Sequence, residues 1–215
     1  MTNHGAMSGT RRIAVLSAGL STPSSTRLLA DRLAQATATA LRQAGIAAEI
    51  DVIEIRDLAH DVVDATLTRF PGPDLERALR AVTVADGVIA VSPTFNASYS
   101  GLFKSFVDLI EPGALEGHPV LLGATGGSER HSLVLDHALR PLFSYLHALV
   151  LPTAVYAASA DWGAGDAAGA SALPGRITRA GSELADALAG RAARAGATEE
   201  LAVPEGFEEL LRSLD

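Results

Sequence analysis

The chain has 215 residues, with 17 Lys and Arg against 25 Asp and Glu and a formal net charge of −8, which argues against a basic face for nucleic acid. It has no cysteine; this excludes disulfides, thiolate metal sites and a cysteine nucleophile, and fits a reducing, cytoplasmic setting. Hydrophobic residues reach 48%, ample for one core. No apolar run approaches the ~18 residues of a membrane helix, and residues 1–10 lack the basic-then-apolar pattern of a signal peptide and read as a disordered leader.

Residues 12–17 read as a short buried strand. Residues 26–44 then repeat Leu28, Leu29, Leu33, Ala36, Ala40 and Leu41 at helical spacing, with Gly45 as the C-terminal cap. Residues 49–55 set Ile50, Val52 and Ile53 among acids and read as a second strand. A helix over 74–84 follows the turn "PGP", and "DGVIAVS" (86–92) is a third buried strand. Residues 101–110 form a helix, and "HPVLLGA" (118–124) a fourth strand. Residues 131–146 are helical by pattern, but Pro141 must kink or restart that helix. A fifth strand covers 149–157, a small-residue loop with Trp162 covers 158–172, and a last helix covers 173–195.

Strands alternating with helices make this an α/β chain with a parallel sheet covered on both faces. Five strands and five helices fit a doubly wound sheet of order 2-1-3-4-5. One domain, 11–196, is expected, with 197–215 as an acidic C-terminal tail.

Such sheets bind ligands beyond the carboxyl ends of their strands, where the strand order reverses. Three loops then matter. The first, "SAGLSTPSST" (17–26), is rich in hydroxyls and ends where a helix begins. Unpaired backbone N–H groups there favour an anion, although a plain capped helix reads the same way. The loop has neither a Walker lysine nor G-x-G-x-x-G. The second, "SPTFNASYSGLFKSFVD" (92–108), offers Phe95, Asn96 and Tyr99 as a wall and edge donors for a flat ligand, or as core filling. The third, "ATGGSERH" (124–131), has two adjacent glycines that let backbone lie against a ring, or make an ordinary turn.

Taken together, "SAGLSTPSSTRLLAD", "SPTFNASYSGLFKSFVDLI" and "GATGGSERHSLVLDHALRPLFSYLHA" resemble the NAD(P)H-dependent FMN reductases of the flavodoxin-like fold. The likeness extends to the reductases that supply reduced flavin to two-component monooxygenases. It runs from about Arg12 to the last helix. The resemblance implies that Ser17, Ser24, Ser25 and Thr26 hold the FMN phosphate. It implies that Pro93, Thr94, Phe95 and Asn96 line the flavin ring, and that Thr125, Gly126, Gly127 and Ser128 close the other side of its pyrimidine edge. Tyr99 and Ser100 match the segment that opens the next helix. Many relatives carry an arginine in the first loop; here none precedes Arg27, which leaves open both the charge balance at the phosphate and the choice between NADH and NADPH.

The same resemblance implies hydride transfer from nicotinamide C4 to flavin N5 with stacked rings, so the cofactor carries the chemistry and no general base is required. An uncharged loop implies that FMN is held moderately and leaves, reduced, for a partner monooxygenase. A quinone or azo-dye reductase would share the flavin contacts, and a flavodoxin-like electron carrier the fold; a low-molecular-weight phosphatase would need a cysteine. No metal is expected, since His131, His137 and His147 have no carboxylate cluster beside them. Lys104 and Asp108 are spaced for an ion pair. Trp162 is either a site cover or a loop anchor. The helix from Gly101 to Ile110 carries apolar residues on more than one face, which predicts a homo-oligomer, a dimer or a dimer of dimers.

Overall fold

Strand β1 (Arg11–Ser17) sends its side chains to alternate faces. Ala14 and Leu16 join one buried cluster, Ile13 and Val15 a second. In this computed structural model, which describes residues 9–162 and 172–191, that alternation divides the whole molecule. The second cluster lies under α1 (Ser25–Gln43) and α6 (Leu173–Ala189), and the first under α2 (Ala59–Thr68), α3 (Pro73–Val84), α4 (Gly101–Val107) and α5 (Arg140–Tyr145).

The remaining strands are β2 (Ala48–Glu54), β3 (Gly87–Phe95), β4 (Ser98–Tyr99), β5 (Pro119–Gly126), β6 (Leu149–Val150) and β7 (Val155–Ala158). The order is β2-β1-β3-β5, with β6 and β7 both pairing parallel to β5 and only β4 antiparallel, to β3. This is the expected 2-1-3-4-5 winding with its last strand in two pieces. Pro152 falls in the gap, where it lacks a ladder N–H. Arg140 fills the gap from α5: Nη1 donates to Leu151 O at 2.9 Å and Nη2 to Pro152 O at 3.2 Å. Fully buried Arg11 ties the other end of the sheet to α6, donating to Leu188 O at 3.0 Å and Arg191 O at 2.6 Å. Leu188 O, in the last turn of α6, also accepts from Arg191 N at 3.3 Å, so the guanidinium reinforces the C-terminal cap of that helix.

Several expectations change in detail. Helix α2 is additional; it buries only Val62 and Ala65, too thin a stripe to show as periodicity. The segment 131–146 opens with a 3-10 turn, widens into a π turn over Leu135–Leu139 and restarts as α5. Pro141 sits in that restarted first turn, where its missing N–H is tolerated. Helix α6 ends at Ala189, not 195. The proposed leader, except for residues 9 and 10, and the acidic tail lie outside the described residues. Among the described residues no helix is long and apolar enough to cross a membrane.

The apolar excess of α4 is absorbed within the chain. Phe103, Phe106, Val107 and Ile110 are all at most 5% exposed in the cluster beneath α2–α5. Leu102 and Leu109 of the same segment are half-buried against that cluster. Lys104 does pair with Asp108, its Nζ reaching both carboxylate oxygens. Trp162 packs beneath the Arg32 guanidinium of α1, 5.1 Å from the ring centroid, and residues 163–171, most of the small-residue loop expected over 158–172, lie outside the described residues.

Candidate active site

β1, β3 and β5 are adjacent and parallel, so their C-terminal ends open at one edge. The first loop leaves β1 at Ser17 and stays beside β3, Ala18 N donating to Val91 O at 3.0 Å. It ends at Ser24, the N-cap of α1, whose Oγ accepts from Arg27 N at 3.2 Å. Gly19 is required by close approach: a Cβ there would sit 2.0 Å from Ser24 Oγ. Ser25 is exposed in the first turn of α1. Ser17 is fully buried, and its Oγ has no hydrogen-bond partner.

The second loop begins inside β3. Pro93 is buried, Thr94 half-buried, Phe95 45% exposed, and Asn96 exposed. The chain reverses over Asn96 and Ala97, both left-handed at φ 47° and 65°, so that Thr94 pairs with Tyr99 and Phe95 with Ser98. A two-residue hairpin with both φ positive is the geometry that matches strand twist. Sequence reading took this as a loop; it is a rigid hairpin that presents Phe95. Ser92 Oγ accepts from Ser100 N at 3.0 Å and Ser100 Oγ from Phe103 N at 3.1 Å, which fixes the start of α4. Thr94 Oγ1 is buried beside the Tyr156 phenol, with which it interacts.

The third loop leaves β5 at Gly126. Thr125 is buried, and its Oγ1 lies 2.8 Å from Thr26 Oγ1, joining the third loop to the first. Gly127 is exposed and Ser128 half-buried. Tyr156 on β7 supports them, donating from its phenol to Ser128 O at 2.8 Å. A side chain at 126 would strike that phenol, its Cβ only 2.2 Å away. Burial pushes the phenol above its ordinary value of 10.0, so it remains a donor at neutral pH.

The twelve residues singled out from sequence lie at the C-terminal ends of β1, β3 and β5, in the turns that follow them, or in the first turn of α1. Two others were missed. Tyr156 falls within the expected fifth strand, where nothing in the sequence sets it apart. Arg56, just after β2, donates to Ser21 O at 3.1 Å and to the Thr22 hydroxyl. The first loop has no basic residue of its own ahead of Arg27 but is not without a cation.

An orphaned buried hydroxyl at Ser17, and a backbone brought against Ser24 at Gly19, fit a ligand with an oxygen-rich end. The donors here are neutral hydroxyls and amides, suited to holding a cofactor in position.

Residues 11–163 match the family described as NADPH-dependent FMN reductase. The chain belongs to that family. An FMN reductase (NADPH) from Pseudomonas aeruginosa is 43% identical over 154 residues, 70% of this chain and 78% of the relative. An NADH-dependent FMN reductase, SfnF, from Pseudomonas fluorescens is also 43% identical, over 157 residues, covering 73% and 81%. Among solved structures, an oxidoreductase from Corynebacterium diphtheriae superimposes with a TM-score of 0.81 at 44% identity, covering 85% of this chain and 99% of the other. The family match spans β1 through Trp162, and so contains all three loops of this FMN reductase family member.

Proposed function

We propose that this protein oxidises NADH or NADPH with FMN as the acceptor and passes reduced FMN to a partner monooxygenase. The observation that carries the reading is the gathering of the three segments at the C-terminal ends of adjacent parallel strands β1, β3 and β5, with the buried Ser17 hydroxyl there left without a hydrogen-bond partner. In this reading Ser17, Ser24, Ser25 and the first N–H groups of α1 hold the phosphate. Thr26 acts chiefly through Thr125, keeping the first and third loops in register. Phe95 covers the ring, while Pro93, Thr94, Asn96 and the backbone of Thr125, Gly126, Gly127 and Ser128 serve its polar edge. Bound FMN supplies the hydride acceptor. The protein orients the two rings, excludes water and directs neutral donors at the edge where negative charge develops.

The same reading makes this a cytoplasmic homo-oligomer. Val63 and Leu67, one turn apart on α2, and Phe70 just beyond are 53%, 78% and 81% exposed, which is apolar surface that a second copy would cover. A monomeric mass by sedimentation at micromolar concentration would remove that part.

The function is tested by steady-state oxidation of NADH and of NADPH with FMN, FAD and riboflavin as acceptors. FMN-dependent turnover is expected with at least one nicotinamide. Loss of either nicotinamide's absorbance at a rate independent of added flavin would overturn the reading.

A further inference from the structure

The phosphate loop and the turn after β2 are physically joined, and the joint is a cation. Arg56 lies in the 3-10 turn Ile55–Leu58, outside all three sequence motifs. Its Nη1 donates to Ser21 O at 3.1 Å and to the Thr22 hydroxyl. It shares a cleft with Pro23, Ser24, Arg27 and Glu54.

The neighbouring charges distinguish the two arginines of that cleft. Arg27 is held by two carboxylates, Nε to Asp31 at 2.7 Å and Nη1 to Glu54 at 2.6 Å. The hydrogen bonds to Asp31 and then Glu54 raise its pKa above the ordinary value; it stays charged, but the charge is answered locally. Arg56 has only a loose ion pair, Nε to Asp57 at 3.4 Å, with the Asp57 side chain 67% exposed, and that Nε makes no hydrogen bond. Such a pair neutralises little. The guanidinium that touches the loop therefore retains most of its field.

We propose that Arg56 is the positioning cation of the phosphate loop: it fixes Ser21 and Thr22 and supplies the positive charge that the loop's own sequence lacks, selecting FMN over riboflavin. The role rests on the reading of residues 17–26 as the FMN phosphate site. Arg56 acts through the loop, by orienting Ser21 and Thr22 and by Coulomb attraction.

Flavin fluorescence quenching gives affinities for FMN and riboflavin, which differ only at the phosphate. Arg56→Gln keeps an N–H to donate to Ser21 O but removes the charge. It is expected to weaken FMN about tenfold or more, to leave riboflavin within about twofold, and to flatten the salt dependence of FMN binding. Arg56→Lys restores the charge and is expected to recover most of the loss. The unaltered protein provides a check that needs no variant: salt weakens FMN more than riboflavin. The proposal is overturned by an unchanged FMN affinity in Arg56→Gln, by equal losses for both flavins, by a lysine variant as poor as the glutamine one, or by equal salt responses in the unaltered protein. Equal affinities of the unaltered protein for FMN and riboflavin would instead bring down the phosphate site itself.

Discussion

Thr26 Oγ1 and Thr125 Oγ1 lie 2.8 Å apart and buried, although 99 residues separate them in sequence. One is in the first turn of α1 and the other near the end of β5, so this single hydrogen bond sets the spacing of two of the three site loops. Replacing either threonine by valine keeps the shape and leaves the other hydroxyl unsatisfied, which costs about 1–3 kcal/mol. Replacing both removes the unsatisfied group as well. Urea unfolding of Thr26→Val, Thr125→Val and the double variant is expected to show the pair costing clearly less than the sum of the singles; simple additivity would show the hydroxyls to be independent.

The hairpin turn stores strain at a position glycine would relieve. Asn96 tolerates its left-handed φ of 47°, but Ala97 holds φ 65° with a Cβ, at a cost of about 1–2 kcal/mol. Ala97→Gly is expected to raise stability by about 1 kcal/mol after the extra freedom of glycine in the unfolded chain is counted. A lower melting temperature in the variant would show that the methyl group makes contacts outweighing the strain.

At Gly19 the expectation runs the other way. A methyl group there meets Ser24 Oγ, so the loop must open. Gly19→Ala is expected to weaken FMN by about tenfold or more, as two or more hydrogen bonds to a charged group are misplaced. Gly19 is buried and its Cβ would also crowd Thr26, so the melting temperature is expected to fall along with the affinity. Normal FMN titration of this variant would show that the loop does not bind in the conformation described.

Much of this arrangement was legible in the sequence because it depends on local pattern. The strands before the three loops are continuous apolar runs, and Ser24 announces the start of α1 as a cap. What was not legible depends on contacts between distant segments. Arg56 is one charged residue among many in "DVIEIRDLAHD", and only the pairing of β1 with β2 brings it to Thr22. Tyr156 becomes a site support only because β7 pairs with β5. The setting of α4 depends on distant contacts too: Phe103, Phe106 and Val107 are buried in the cluster beneath α2–α5, while Leu102 is half-buried.

Glu183 connects α6 to the segment before β7 and gives the protein an acid-sensitive joint. Burial pushes its carboxyl upward, but the hydroxyl and amide of Thr153, with Arg179, outweigh burial and bring the net pKa below the ordinary 4.5. A depressed carboxylate stabilises the fold fully above its unfolded pKa, and that stability is lost as pH falls through the folded value. The melting-temperature gap between the unaltered protein and Glu183→Gln should therefore be widest above pH 4.5 and close below it. A gap that persists unchanged on acidification would contradict this.

A crystal structure of the complex with FMN would show whether one flavin mononucleotide spans the three loops. The phosphate is expected within hydrogen-bond reach of Ser17, Ser24 and the first N–H groups of α1, and the ring between Phe95 and the backbone of residues 125–128. A flavin bound elsewhere, or bound with its phosphate away from residues 17–26, would contradict that placement.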